Sequence, residues 1–131
     1  MWFFDVKNNF FMFYIFILVR PDRPRIMQPV AVNSTITGLH GVDLKLTCLS
    51  TGGYPEQILD WFLVRNGQSP TRMTNCLTHF ASSNFYDVTS TCTFTPTYGD
   101  DGVTFLCQSY YSGEPQLKDS TEVRLEIARR Y

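Results

Sequence analysis

From residue 30 onward, apolar side chains recur at every second position. In VDLKLTCL, Val42, Leu44, Leu46 and Cys48 fall on one side while Asp43, Lys45 and Thr47 fall on the other. That alternation is the signature of a strand with one buried and one wet face. ILDWFLV brings Leu59, Trp61 and Leu63 together, and RNGQSP closes it with turn residues at Asn66-Gly67. YDVTSTCTFTPT sets Val88, Cys92 and Phe94 inward against a ladder of Thr89, Thr91, Thr93 and Thr95. After the turn TYGDDG, VTFLCQSY aligns Val103, Phe105 and Cys107, and Ser109 ends the apolar row. TEVRLEI places Val123, Leu125 and Ile127 inward. No stretch after residue 20 has helical periodicity or helix caps. Six or seven short strands joined by turns predict an all-β fold, a two-sheet antiparallel sandwich with Greek-key connections.

The first twenty residues, MWFFDVKNNFFMFYIFILVR, break this pattern. The apolar run from Phe10 to Val19 has the length of a signal-peptide core and is short for a membrane span. No small-x-small cleavage site follows it, and Arg20, Arg23 and Arg25 lie downstream where only Lys7 lies upstream. Three readings fit residues 1–20: an atypical signal sequence, a short anchor through which the chain associates with a membrane, or an extension not native to the mature protein. Residues 21–27 then read as an extended Pro/Arg-rich linker, residues 28–128 as the domain, and residues 129–131 as a tail.

Net charge narrows the partners. At −1 over 131 residues, the chain lacks the basic footprint of a nucleic-acid or anionic-membrane binder. Its short basic clusters, Arg20 to Arg25 and Arg129-Arg130, sit at the margins of the domain. The four cysteines, at 48, 76, 92 and 107, fit a secreted or cell-surface disulfide protein. The sequon Asn33-Ser34-Thr35, a candidate glycosylation site at Asn33, points the same way.

The stretch CLSTGGYPEQILDW runs from Cys48 to Trp61 through a glycine pair and a Tyr54-Pro55 step, whose peptide bond is left open between cis and trans. Together with FYDVTSTCTFTPTYGDDGVTFLCQSYY, it resembles a constant-type (C2-set) immunoglobulin domain. The similarity spans residues 28 to 128. It is strongest to the membrane-proximal domain of T-cell costimulatory ligands, and domains of nephrin-like and nectin-like adhesion proteins are similar. The resemblance implies a disulfide between Cys48 and Cys107 across the two sheets, with Trp61 filling the space beside the bond and Phe105 in the core. Phe105 stands where many such domains carry a tyrosine whose hydroxyl ties down the corner. Cys92 stands where the resemblance expects an inward leucine.

The same resemblance leaves Cys76 and Cys92 over, and the simplest expectation is a second disulfide between them. The competing reading is a metal site, with Cys76 and His79 at x2 spacing and Cys92 as a third ligand; the same residues are the only candidates for a Cys-His nucleophile. No serine triad, phosphate loop or catalytic carboxylate pair is evident, and Asp100-Asp101 lies in a turn. The expectation is a non-enzymatic domain with no cofactor.

Outward positions of ILDWFLV and VTFLCQSY carry Phe62, Val64, Leu106 and Tyr110, with Asp60, Arg124 and Glu126 around them. Large apolar side chains on a nominally wet face form a candidate interaction surface. A competing possibility is that the segment carrying Cys76 covers them. The resulting expectation is an extracellular module of a cell-surface recognition or adhesion protein, mediating or spacing contact with a protein partner that includes a second copy of itself. The alternative is a secreted single-domain binder acting alone.

Overall fold

A computed structural model describes residues 2–5, 12–15 and 18–129. β1 (Trp2–Asp5) and β2 (Met12–Ile15) pair antiparallel as a sheet of their own. Most of the remaining chain is strand: β3 (Arg25–Gln28), β4 (Thr35–Leu39), β5 (Leu44–Gly53), β6 (Ile58–Val64), β7 (Thr71–Arg72), β8 (Cys76–Ser82), β9 (Tyr86–Phe94), β10 (Thr104–Tyr111) and β11 (Glu114–Ala128). A 3₁₀ turn, Tyr98–Asp100, links β9 to β10. Two sheets form the sandwich, one ordered β4-β11-β10-β6-β7 and the other β3-β5-β9-β8. Pairing is antiparallel throughout both, except that β4 runs parallel to β11.

The core forms where the two alternating rows meet. Leu46, Cys48, Val88 and Cys92 from one sheet face Leu59, Trp61, Phe105, Cys107, Val123 and Leu125 from the other, all buried. Phe94 packs against this core and meets the Phe105 ring edge-on, with centroids 5.1 Å apart. Burial of such side chains is the main force holding the sheets together.

One covalent bond crosses the core. Cys48 and Cys107 are joined, with Cα atoms 6.5 Å apart. Cys107 lies opposite Trp61 in the β10–β6 ladder, and Cys48 lies opposite Ser90 in the β5–β9 ladder. The Trp61 indole N–H donates to the Ser90 carbonyl at 3.1 Å. Bond and hydrogen bond therefore span the same gap from neighbouring positions.

The second bond, Cys76–Cys92, stays within one sheet, where the two residues are direct partners of β8 and β9. Cys92 is fully buried and Cys76 packs partly against the core. The bonded sulfurs thus take the place of the inward leucine that Cys92 replaces. The sequence pattern places Cys76 in a connecting segment, whereas in the structure it is the first residue of β8.

The stretch TGGYPEQ, which ends β5 and leads into β6, has a composition its geometry explains. Gly52 has φ +80°, a conformation side chains resist. Gly53 is needed for space, because a Cβ there would lie 2.3 Å from Gln57 Oε1 and 2.8 Å from the Tyr111 hydroxyl. Gln57 is itself buried, and its amide N–H groups face the Ser50 carbonyl, the Ser50 hydroxyl and the Tyr86 carbonyl at 3.0–3.3 Å. Tyr54-Pro55 is cis, as is Gln28-Pro29.

Two expectations about the margins change. Val42 was assigned an inward position, yet it is 51% exposed and precedes β5. The turn at Gly41 (φ +77°) and the Val42 N–H bond to the Leu39 carbonyl hold it outside the ladder. Residues 21–27, expected as a linker, are packed into the domain. Pro24 is fully buried, Arg25–Gln28 pair with β5, and Arg23 Nε donates to the Ser120 carbonyl at 2.9 Å. An extended segment supplies free backbone N–H and C=O groups, and an adjacent strand edge takes them up. Of residues 1–20, positions 1, 6–11, 16 and 17 lie outside the described residues, as do residues 130 and 131 of the expected tail. The signal-sequence, anchor and extension readings therefore fall largely outside them too. Among the described residues, no helix is long and apolar enough to cross a membrane.

Candidate interaction surface

The five-stranded sheet turns one face to solvent, and its ladder register decides which side chains share that face. Arg72, Phe62, Leu106 and Glu122 are successive cross-strand partners from β7 to β11 and form one row. The next row runs Val64, Thr104, Arg124 and Thr35. On the other side lies Asp60 opposite Gln108, then Ile58 opposite Tyr110. Directly opposed residues of a sheet lie close enough to form a continuous surface. All four candidates from the sequence, Phe62, Val64, Leu106 and Tyr110, fall on this face, and all four are half-buried. Glu122, Arg124 and Glu126 rim it on the β11 side, and Asp60 and Arg72 rim it on the β6–β7 side.

Part of the rim is tied together by hydrogen bonds. The Tyr110 hydroxyl donates to Asp60 Oδ2 at 2.6 Å, and Arg72 NH2 reaches Asp60 Oδ1 at 3.2 Å. The hydrogen bond to the Asp60 carboxylate, followed by burial, pushes the Tyr110 phenol above its ordinary pKa. The competing idea, that the segment carrying Cys76 lies over Phe62 and Leu106, is not what the fold does. β8 is the outer strand of the opposite sheet, and only the short β7 flanks Phe62.

At the other end of β6 the two turn aspartates divide their tasks. Asp100 accepts from Arg65 NH1 at 2.6 Å, and from the Thr97 N–H and hydroxyl at 2.8 and 3.1 Å. Asp101 Oδ1 accepts the Ile127 N–H at 2.8 Å. Burial alone would raise the Asp100 pKa, but the Thr97 N–H, the Arg65 guanidinium and the Thr97 hydroxyl together hold it below the ordinary carboxylate value. These contacts fix the turn before β10, where Phe105 has no hydroxyl to offer.

The metal and nucleophile readings are overturned. Cys76 and Cys92 bond to each other, and no cysteine is free. His79 pairs in register with Thr89 and is exposed, whereas Cys76 points toward the core. In a strand, an offset of three residues puts two side chains on opposite faces. Among the described residues, no cluster of His, Cys, Asp and Glu is arranged to hold a metal ion.

Asn33 stands at the tip of the turn before β4 and is exposed. Sequence reading missed Gln57, Arg65 and Arg72. Gln57 had a signal: two and four residues before Leu59 and Trp61, it shares their inward parity. The two arginines had none, because their partners, Asp100 and Asp60, are set by strand pairing and turn geometry and not by a local pattern.

Comparison with solved structures places this architecture. The Rst D1-D2 structure superposes with a TM-score of 0.70 at 21% identity, over 85% of this chain and 51% of that one. The full ectodomain (Ig1-Ig3) of mouse nectin-like molecule 4 gives 0.64 at 21% identity, over 84% of this chain and 35% of that one. Bovine butyrophilin gives 0.55 at 15% identity, over 86% and 46%. The chain therefore spans about half or less of each of these proteins. No curated protein matches it. Residues 28–117 match the family model described as the CD80-like C2-set immunoglobulin domain. With that model covering most of the sandwich, the chain belongs to the family of CD80-like C2-set immunoglobulin domains.

Proposed function

We propose that the chain is an extracellular recognition module that binds or positions a protein partner at the cell surface, with the β6–β10 face as its contact surface. One observation carries the reading. Phe62 and Leu106 are direct ladder partners, half-buried, at the centre of a row that ends in Arg72 and Glu122. An apolar centre inside a charged rim is the usual anatomy of a protein interface. Two disulfides suit an oxidising compartment, and one of the similar structures is a full ectodomain. The partner is a protein, a second copy of the chain included. Phe62 and Leu106 would supply the contact, while Tyr110 and Asp60 would set its rim. The module is a non-catalytic one.

The test is the double substitution F62S with L106S. Beads coated with the wild-type domain are expected to bind one another or cell surfaces. Beads coated with the double variant are expected not to, while its melting temperature stays within a few degrees of wild type. Loss of folding, or a fully folded variant that binds as well as wild type, removes the surface from the account.

A further inference from the structure

The recognition reading makes no use of the sequon Asn33-Ser34-Thr35, yet the fold gives that sequon a distinct setting. Asn33 and Ser34 both have positive φ, 52° and 60°. Val32 and Thr35 exchange both backbone hydrogen bonds across them, at 2.9 and 3.0 Å. This is a two-residue turn with both central residues left-handed, a conformation asparagine adopts more readily than most residues. The turn is anchored, because the Arg124 N–H donates to the Ser34 carbonyl at 2.9 Å. Asn33 therefore sits exposed on a fixed tip, and its side-chain amide makes no hydrogen bond among the described residues.

Two bare valines flank the same tip. Val30 is 83% exposed and Val32 is 70% exposed. They line a shallow cleft with Pro29, Asn33, Thr35 and Glu126. The cleft runs beside β4, the outer strand of the five-stranded sheet. Val30 and Val32 precede β4, and exposed apolar side chains beside an outer strand make a place where a second chain adds or adheres, unless something covers it.

We propose that Asn33 carries an N-linked glycan whose inner sugars lie over Val30 and Val32 and close the β4 edge to other chains. The proposal rests on the extracellular reading above, because the sugar donor is met in the secretory lumen. In the transfer, Asn33 Nδ2 bonds to C1 of the first sugar of a lipid-pyrophosphate-linked oligosaccharide. The C1–O bond to the pyrophosphate breaks, the lipid pyrophosphate leaves with the electron pair, and an Nδ2 proton passes to a base of the transferase. The C–H face of the first sugar then packs on valine methyl groups while its hydroxyls remain in water. The glycan meets the contact face only at its Thr35 and Glu126 margin, and Phe62 and Leu106 stay open, since β11 separates β10 from β4.

The test is expression of the full chain in a eukaryotic secretory cell, as wild type, N33Q and T35A. Mass is compared before and after an amide-cleaving glycosidase. Secreted, disulfide-bonded wild type is expected to lose the mass of one glycan and to read as Asp at position 33, with no shift in either variant. Secreted, disulfide-bonded protein with bare Asn33 overturns the proposal and leaves the extracellular reading standing. A chain held in the cytosol with all thiols reduced overturns both. The covering role is read by sedimentation. N33Q is expected to self-associate at concentrations on the order of tenfold lower than the glycosylated protein, and V30S with V32S added to N33Q reverses this. Identical sedimentation of the glycosylated and N33Q proteins overturns the covering role.

Discussion

The Trp61 indole N–H donates to the Ser90 carbonyl, 3.1 Å away on the opposite sheet. Their ladder neighbours Cys107 and Cys48 carry the inter-sheet disulfide. The indole thus fills space beside the bond and also gives its own buried N–H an acceptor. Trp61→Phe keeps an aromatic ring but leaves a void and removes the hydrogen bond to Ser90. We expect a loss of about 2–3 kcal/mol, read from urea unfolding. Ser90→Ala keeps the carbonyl acceptor, and an equally large loss there would show that the hydrogen bond is not the source.

Gly53 faces Gln57 and Tyr111 at contact distances no side chain tolerates. Gly53→Ala must displace the buried Gln57 amide from the Ser50 and Tyr86 carbonyls. A destabilisation of about 2–4 kcal/mol is expected, the range for overpacking combined with broken buried hydrogen bonds. Gly67→Ala, at an exposed turn with φ +73° and nothing near its Cβ, meets only backbone strain and is expected to cost about 1 kcal/mol. Equal melting temperatures for the two variants would contradict this ranking.

The Arg65–Asp100 pair gives the domain an acid limit. The folded Asp100 carboxyl has its pKa held below the ordinary 3.8 despite burial, by the Thr97 and Arg65 donors. Its contribution is fully present above the unfolded value and is lost as pH falls through the lower, folded value. Asp100→Asn is expected to cost about 1–3 kcal/mol at neutral pH and to flatten the fall in stability below pH 3.8. Thermal melts of both proteins from pH 7 down to pH 2 check it. An unchanged acid limb in the variant would assign that limb to other carboxylates.

Tyr110 orders the rim of the candidate surface through Asp60. Tyr110→Phe removes a half-exposed hydrogen bond and is expected to cost only about 0.5–1.5 kcal/mol of stability. It also releases Asp60 to move with Arg72, so partner binding is expected to weaken more than folding does. A variant with wild-type binding and lowered stability would make the Tyr110–Asp60 contact purely structural.

The sandwich was legible because its central strands alternate cleanly. Val88, Cys92, Phe105, Cys107, Val123 and Leu125 face inward as their parity requires. Where burial is one-sided or absent, parity carries no signal. β8 is an outer strand whose residues after Cys76 are all exposed, so nothing in CLTHFAS marks it as a strand. β3 is short, contains no alternating apolar row, and lies among prolines that read as linker. Phe62, Val64, Leu106 and Tyr110 were found as outward apolars, and the ladder register then showed that they adjoin. The Arg72 and Glu122 ends of their row depend on strand order across the sheet, which no local pattern encodes.

Closing the 59-residue separation between Cys48 and Cys107 is expected to contribute about 4 kcal/mol, and the 16-residue separation between Cys76 and Cys92 about 3 kcal/mol. Both magnitudes are comparable to the whole stability of a small domain, so the architecture and the oxidising compartment stand or fall with these bonds. Non-reducing peptide mapping of the secreted protein tests them together. The account predicts one linked peptide pair joining Cys48 to Cys107 and another joining Cys76 to Cys92, with no alkylated thiol. A link between Cys48 and Cys92, or four free thiols, would contradict it.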